Sequence, residues 1–184
     1  MNLLVLFGVQ GSGKGTQAKL LAEKFNYQIF ETGAELRKIA KEESSLGIEI
    51  KETINAGNLV SSNHIKRLIE SFIEKNKDQK IIFDGFPRNQ EQLKTFQEII
   101  EKSQLEFKAI IFELSKEKSI ERLLKRAQIE NREDDTQDII EKRISIFYND
   151  TLPVIEKIKE NYEVIEIDAD QSIENIHEEL IKKI

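Results

Sequence analysis

Glycine and lysine recur between positions 8 and 16 in a pattern that suits the binding of a bulky anion. The segment runs from Gly8 through Gly13-Lys14 to Gly15 and Thr16. Residues 8–14 have the spacing G-x-x-x-x-G-K, in which backbone N–H groups surround phosphate oxygens and the lysine supplies a positive charge. Gly15 occupies the position where such loops usually carry Ser or Thr. The spacing predicts a phosphate-binding loop between a strand and a helix.

Two alternative interpretations of this loop explain less of the sequence. A dinucleotide-binding G-x-G-x-x-G pattern would need glycine at Thr16, and it gives Lys14 no role. A glycine-rich turn that binds nothing would account for the glycines, but it leaves the lysine and the strand–helix setting unexplained.

Arginine is scarce in this chain and is concentrated in a few segments. Seven arginines against twenty-one lysines indicate that lysine is the default surface cation. Arginine is then expected where a planar guanidinium must bind carboxylate or phosphate. The arginines are Arg37, Arg67, Arg88, Arg122, Arg126, Arg132 and Arg143. Four of them fall between positions 122 and 143, which favours a functional cluster over a solvated helix face.

A second polar segment, residues 84–88, follows a short apolar run. An acid at the tip of a buried strand beside a phosphate loop is well placed to hold the water shell of Mg²⁺. Gly85 permits a sharp turn, Pro87 stiffens it, and Arg88 would point into the same cleft. On this segment alone, an ordinary turn with Asp84 as a capping residue is an equal alternative.

Composition and charge narrow the class of protein. A chain of 184 residues can bury one core, and 34% charged residues suit a globular protein with a solvated surface. The net charge of −6 argues against a nucleic-acid partner. The lack of cysteine excludes disulfides and thiolate metal sites, zinc-bearing ones included. No apolar run approaches membrane-spanning length, so we expect no membrane association and a cytoplasmic location.

Hydrophobic periodicity predicts the elements that must position these residues. Short apolar runs indicate buried strands at 3–7, 28–30, 80–84, 108–114 and 162–168. Helices are expected over 14–25, 33–42, 46–56, 62–75, 89–102, 116–128, 136–150 with a continuation to about 159, and 172–183. Strands that alternate with helices indicate an α/β fold, with an open five-stranded parallel sheet and helices on both faces.

Two features interrupt this alternation. Pro153 should kink or restart the long helix, because proline cannot donate a helical hydrogen bond. Residues 31–79 hold three short helices, more than one crossover between parallel strands requires. This surplus predicts a helical insert at the carboxyl edge of the sheet, where the ligands of open α/β folds bind.

Several motifs, in order along the chain, resemble the adenylate kinase family of nucleoside monophosphate kinases. They are residues 8–18 (G-V-Q-G-S-G-K-G-T-Q-A), Thr32-Gly33 with Leu36-Arg37, residues 57–60, residues 84–88 with Gln92, Arg122-x-x-x-Arg126, and residues 132–135 followed by Arg143. The resemblance explains Gly15, because that family characteristically has G-K-G-T. It implies a P-loop NTPase-type sheet in one domain, residues 1–184. The expected parts are a core (1–30, 76–126 and 136–184), a monophosphate-binding insert (31–75) and a short lid (127–135).

The same resemblance implies the activity, the reversible transfer of a phosphoryl group from Mg²⁺-bound ATP to AMP to give two ADP. The residues it assigns to ATP are Gly11, Ser12, Gly13, Lys14, Gly15, Thr16, Arg122 and Arg132. Those it assigns to AMP are Thr32, Gly33, Arg37, Leu59, Val60, Gly85, Arg88, Gln92 and Arg143. Those it assigns to catalysis are Lys14, Asp84, Arg88, Arg126, Arg132 and Arg143. Mg²⁺ is expected near Asp84 through its water shell, and the protein is expected to be a monomer.

The identity of the acceptor and three departures from the family pattern leave alternatives open. Thr32 and Gln92 accompany adenine in the resembling family, which favours AMP over UMP or CMP. Ala34 stands where that family often has an aspartate that orients the metal's water shell. An adenylate-binding protein with weak catalysis is therefore the alternative from another class. Gln10 replaces a frequent proline, and the short lid lacks the usual flanking glycines.

Overall fold

One parallel sheet organises the molecule, which we describe from a computed structural model for residues 3–130 and 136–184. The strands are β1 (Leu3–Gly8), β2 (Tyr27–Glu31), β3 (Lys80–Asp84), β4 (Phe107–Glu113) and β5 (Val164–Asp168). Their order across the sheet is β2-β3-β1-β4-β5, and every pairing is parallel. The predicted five-stranded parallel α/β sheet of P-loop NTPase type is confirmed.

The strand order places a ligand site at the carboxyl ends of β1 and β3. From β1 the chain crosses to β2 at one edge, and from β3 it crosses to β4 on the opposite side of β1. At such a reversal the connecting segments leave a crevice outside the strand ends, where open α/β proteins bind ligands. The loop after β1 and the turn after β3 both border this crevice.

Helices cover both faces of the sheet, as the sequence predicts. Their bounds are α1 (Lys14–Phe25), α2 (Thr32–Ile39), α3 (Ser45–Asn55), α4 (Ser62–Lys75), α5 (Gln90–Lys102), α6 (Lys116–Glu130), α7 (Gln137–Ile146), α8 (Leu152–Asn161) and α9 (Ile173–Lys183). Alternate residues of the strands point to opposite faces. Leu4 and Leu6 of β1 pack with α1 and α9, whereas Leu3 and Val5 pack with the remaining helices.

The long helix predicted for positions 136–159 is interrupted before Pro153. A π-helical turn (Phe147–Thr151) separates α7 from α8, and the backbone N–H of Leu152 donates to the carbonyl of Phe147. This i→i−5 bond widens the helix where the proline lacks an N–H. The restart predicted at Pro153 is therefore confirmed, since proline occupies the first turn of α8.

The predicted insert and lid differ in how much of each is described. The insert contains three helices, α2, α3 and α4, as the spacing between the second and third strands predicts. Helix α6 runs to Glu130, beyond its predicted end at 128, so the first positions of the predicted lid are helical. The rest of that lid, residues 131–135 with Arg132, lies outside the described residues. Among the helices that are described, none is long and apolar enough to cross a membrane.

Candidate active site

The loop between β1 and α1 has the geometry of an anion site. Gly8 has φ 144°, and a Cβ added there would lie 2.6 Å from the backbone oxygen of Phe112, so only glycine fits. Helix α1 begins at Lys14, which leaves the N–H groups of its first turn without intrahelical acceptors. These N–H groups and the positive end of the helix dipole favour a bound anion.

Lys14 is held against its own loop. Its ammonium group donates to the carbonyl oxygens of Gly8 (2.8 Å) and Val9 (3.0 Å) and to Oγ of Ser12 (3.3 Å). Burial lowers the pKa of Lys14 to about 8; Asp84 opposes this shift, and Arg88 and Arg126 add to it. The ammonium is thus mostly charged at neutral pH. An anion bound in the loop would favour the charged form further.

Two side chains fix this loop and its helix to the rest of the core. Ser119 of α6 is fully buried and donates from Oγ to the carbonyl oxygen of Gln10, at 2.6 Å. Gln17 of α1 donates from Nε2 to the carbonyl oxygen of Ile173 (2.9 Å), and its Oε1 lies 3.0 Å from Nδ1 of His177. The loop therefore depends on α6 on one side and on α9 on the other.

A cavity of about 350 Å³ opens at the carboxyl edge of the sheet, a volume in the range of small-molecule sites. The predicted site residues that line it are Gly11, Gly13, Lys14, Gly15, Thr16, Thr32, Gly33, Arg37, Leu59, Val60, Asp84, Gly85, Arg88, Gln92, Arg122, Arg126 and Arg143. Ser12 is instead buried behind the loop, and Arg132 belongs to the undescribed segment. One cavity thus receives residues from the loop, the insert, the turn after β3, α6 and α7.

The arginine side chains converge although they are far apart in sequence. Arg37 comes from α2, Arg88 from the turn after β3, Arg122 and Arg126 from α6, and Arg143 from α7. Burial lowers the pKa of Arg88; Asp84 opposes the shift, while the neighbouring cations Arg143 and Arg37 add to it. A guanidinium stays charged at neutral pH in spite of such shifts. The cavity is therefore a strongly cationic site suited to several phosphate groups.

Arg88 is held from three directions. Its Nε donates to the carbonyl oxygen of Gly85 at 2.7 Å, and its backbone N–H donates to Oε1 of Gln92 at 2.8 Å. Its carbonyl oxygen accepts from Oγ1 of Thr151 at 2.8 Å. Thr151 belongs to the π-helical turn, so that irregularity places a hydrogen-bond donor directly against the turn after β3. These contacts orient the guanidinium towards the cavity.

Asp84 lies against the loop between β1 and α1. It is 7% exposed, and a Cβ built at Gly15 would lie 3.5 Å from its Oδ2, so the carboxylate contacts the start of α1. Burial raises the pKa of Asp84; Lys14 opposes this rise, Glu31 adds to it, and Arg88 opposes it. In the described parts of the chain, no group of three or more His, Cys, Asp or Glu side chains is placed to hold a metal ion.

The insert side of the cavity holds polar side chains that could contact a base. Thr32 is buried, and its Oγ1 has no hydrogen-bond partner among the described residues. Gln92 accepts from the backbone of Arg88 through Oε1 and donates to the carbonyl oxygen of Val60 through Nε2, at 3.4 Å. Because a carboxamide has two N–H groups and two acceptor positions, Gln92 retains capacity for a ligand.

Arg122 contacts the loop after β5. Its Nη2 donates to the carbonyl oxygen of Ala169 at 2.9 Å and lies 3.7 Å from Oδ1 of Asp170. The same arginine also lines the cavity.

Sequence reasoning missed several residues that line the cavity. Gln10, Lys19 and Glu31 are polar examples, and Gln10 carries a buried Oε1 without a hydrogen-bond partner in the described residues. Glu31 could have been found, because it is the last residue of β2 and directly precedes Thr32. Gln10 lies inside the loop motif, but at a position that the motif leaves unspecified.

Comparison with known proteins identifies the family to which the chain belongs. The family model for "Adenylate kinase" matches residues 6–163. An adenylate kinase of Azobacteroides pseudotrichonymphae is 34% identical over 97% of this chain and 95% of its own length. An adenylate kinase of Leptospira biflexa is 34% identical over the full length of both chains. A UMP-CMP kinase 1 of Oryza sativa is 32% identical over 98% of this chain and 72% of its own. The chain belongs to the adenylate kinase family of phosphotransferases.

Proposed function

We propose that this enzyme transfers the terminal phosphoryl group of Mg²⁺-bound ATP reversibly to AMP, giving two ADP. The observation that carries the proposal is the convergence of Lys14 and five arginines on one cavity between the phosphate-binding loop and the helical insert. The cavity is cationic, with the glycine-rich loop on one side and Arg37 and Arg88 on the other. This arrangement suits two nucleotides whose phosphate groups face each other.

The donor phosphates would occupy the loop. The N–H groups at the start of α1 and the ammonium of Lys14 would hold the phosphate oxygens, and Arg122 would cover the donor base. All three donors of the Lys14 ammonium are used within the loop, so a bond to phosphate requires Lys14 to give up at least one of them.

The acceptor would bind on the insert side. Arg37 and Arg88 would hold its phosphate, while Thr32, Gln92 and the apolar pair Leu59 and Val60 would contact its base. An oxygen of that phosphate then attacks the terminal phosphorus of the donor, and the bond from this phosphorus to the bridging oxygen breaks. Arg126 and Arg143, together with Arg132 as the sequence predicts, would stabilise the charge that develops on the transferring group.

The carboxylate of Asp84 is suitably placed to interact with the Mg²⁺ that adenylate kinases generally use with ATP. Mg²⁺ prefers oxygen ligands, keeps several waters, and binds to one or two carboxylates together with substrate phosphates. A single carboxylate against the loop at Gly15 meets this description without a dedicated protein site. When bound, the metal would neutralise charge on the phosphate oxygens, and Asp84 would accept hydrogen bonds from its water shell.

UMP/CMP kinase activity is the second candidate, because the UMP-CMP kinase relative covers almost the whole chain. Thr32 and Gln92 accompany adenine in the resembling family, which favours AMP, and both line the cavity. Polar groups of a site that the wrong base leaves unpaired cost affinity. A catalytically weak adenylate-binding protein is the third candidate. The retention of Lys14, Asp84 and the cavity arginines opposes it.

A coupled ADP-formation assay with AMP, CMP and UMP separates these candidates. We expect kcat/KM for AMP to exceed that for CMP and UMP by at least about tenfold. Comparable turnover of CMP would assign the second candidate. Binding of AMP with no turnover of any monophosphate would assign the third. The monomeric state and the cytoplasmic location stay predictions from composition and resemblance.

A further inference from the structure

Glu31 is a carboxylate inside the cationic cavity to which the proposed mechanism assigns no role. It is the last residue of β2, and its Cα is paired in register with that of Asp84 at the end of β3. Both residues line the cavity. The side chain of Glu31 is 35% exposed, so it reaches the cavity and is not part of the core.

The carboxylate of Glu31 is paired with an arginine of the proposed acceptor site. Its Oε1 lies 3.1 Å from Nη2 of Arg37, whose side chain is 31% exposed. The same guanidinium lies over Gly33, where an added Cβ would be 3.1 Å from Nη1. Arg37 is therefore held between the glycine at the start of α2 and the acid at the end of β2.

The charge of Glu31 also acts on the neighbouring groups of the cavity. Burial is the main cause that raises the pKa of Asp84, and Glu31 adds to that rise. For Arg88, burial lowers the pKa, and Glu31 is among the groups that oppose the shift. A phosphate bound to Arg37 and Arg88 would thus lie close enough to this carboxylate to be repelled.

We propose that Glu31 competes with the acceptor phosphate for Arg37, because its carboxylate pairs with this guanidinium in the free enzyme. To bind Arg37, the acceptor phosphate must replace Oε1 of Glu31 at the guanidinium. The displaced carboxylate then either moves away from the site or remains beside the negatively charged phosphate. Both outcomes weaken acceptor binding, and both speed release of the nucleotide from the insert side. The effect needs a phosphate on the ligand, so a nucleoside does not experience it. This inference rests on the proposed function, in which Arg37 binds the acceptor phosphate.

Glu31→Gln tests the proposal, because glutamine keeps the size of the side chain and removes its charge. Glu35→Gln is a matched control. Glu35 is on α2, is 34% exposed, and is paired with Lys38 at 2.6 Å, but it does not line the cavity. AMP and adenosine are titrated into the wild type and both variants by calorimetry, or by NMR for weak binding, without ATP or Mg²⁺. KM for AMP and kcat are measured in parallel.

We expect Glu31→Gln to lower the Kd for AMP by about threefold or more, the scale of a half-exposed ion pair plus relief of like-charge repulsion. KM for AMP should fall without a rise in kcat. The affinity for adenosine should be the same in the wild type and both variants, and Glu35→Gln should leave the Kd for AMP unchanged.

Unchanged or weaker AMP binding in Glu31→Gln would overturn the proposal; weaker binding would show that Glu31 only orients Arg37. An equal gain for adenosine or in Glu35→Gln would also overturn it, because the effect would not depend on the phosphate at Arg37. Failure of the proposed function has a different signature. In that case the wild type itself binds AMP no better than adenosine, and Glu31 has no acceptor phosphate to compete with.

Discussion

Replacing Gly85 with alanine should separate the stability of the turn after β3 from the role in acceptor binding that we propose for it. Gly85 has φ 85°, and a Cβ added there would lie 2.6 Å from Nη2 of Arg88. The backbone cannot relieve the left-handed conformation without disturbing β3. The guanidinium is the far end of a flexible side chain, so it can move away from the new methyl group. The collision with Arg88 should therefore lower the affinity for AMP, and the backbone strain should lower the free energy of unfolding.

The two costs can be estimated separately. An L-residue in the left-handed region costs roughly 1–2 kcal/mol, which corresponds to a fall in Tm of about 2–8 °C for a chain of this size. In the proposed mechanism, displacing Arg88 removes charge-assisted hydrogen bonds to the acceptor phosphate, each worth about 1.5–3 kcal/mol. The affinity for AMP should therefore fall by about tenfold to a hundredfold.

Gly13→Ala is the matched control for strain. Gly13 has φ 89°, and no heavy atom lies within 4 Å of an added Cβ, so the substitution introduces the strain without a collision. Thermal unfolding of both variants and calorimetric titration with AMP alone, without ATP, complete the comparison. We expect similar losses in Tm, but weaker AMP binding only in Gly85→Ala.

An equal AMP affinity in the two variants would refute the reasoning, because it would show that Arg88 at this position does not contribute to acceptor binding. A loss of stability in Gly85→Ala far beyond that of Gly13→Ala would contradict the view that the guanidinium can move away from the new methyl group.

Three further predictions concern the loop and the closure of the site. In the proposed mechanism Lys14 must be protonated to bind phosphate, and its pKa is about 8, so kcat/KM should fall about tenfold per pH unit above pH 8. A flat pH–rate profile up to pH 9.5 would contradict this. Ser119→Ala removes the 2.6 Å bond to the carbonyl oxygen of Gln10 and should lower stability by about 1 kcal/mol and raise KM for ATP. Chemical denaturation and steady-state kinetics would measure both, and unchanged values would exclude the anchoring role. A bisubstrate analogue should slow amide hydrogen exchange in residues 32–75 and 127–130 while the strands stay unchanged. Equal exchange in both segments with and without the analogue would indicate a preformed cleft.

Much of the local structure could be predicted because it depends on neighbouring residues. The bounds of α1 agree with the prediction, since Gly13 precedes the helix and Asn26, with φ 59°, ends it in the left-handed conformation. The strands were visible as apolar runs because both faces of a parallel sheet are buried. The glycine-rich loop between β1 and α1 could also be predicted, because its glycines and its lysine lie within one short segment of the chain.

Other features could be predicted only in part, because a residue type permits several local outcomes. Pro153 indicates a break in the helix, but it does not specify the π-helical turn that brings Thr151 to the carbonyl oxygen of Arg88. Ser61 has the capping position before α4, yet its side chain makes no capping hydrogen bond. The arginines indicate phosphate chemistry, but their spacing along the chain does not show which of them share a cavity.

The sequence by itself determined the sheet, the glycine-rich loop between β1 and α1, and the resemblance to one family, because each follows from periodicity or from a contiguous motif. Only the tertiary structure brought Arg37, Arg88 and Arg143 to one cavity, since crossovers of the chain and packing of the insert set the distances between them. The ion pair between Glu31 and Arg37 is also a product of the tertiary structure. It depends on the register of β2 with β3 and on the angle at which α2 leaves the sheet. Contacts between separate elements come from packing over the whole core, and no local pattern encodes them.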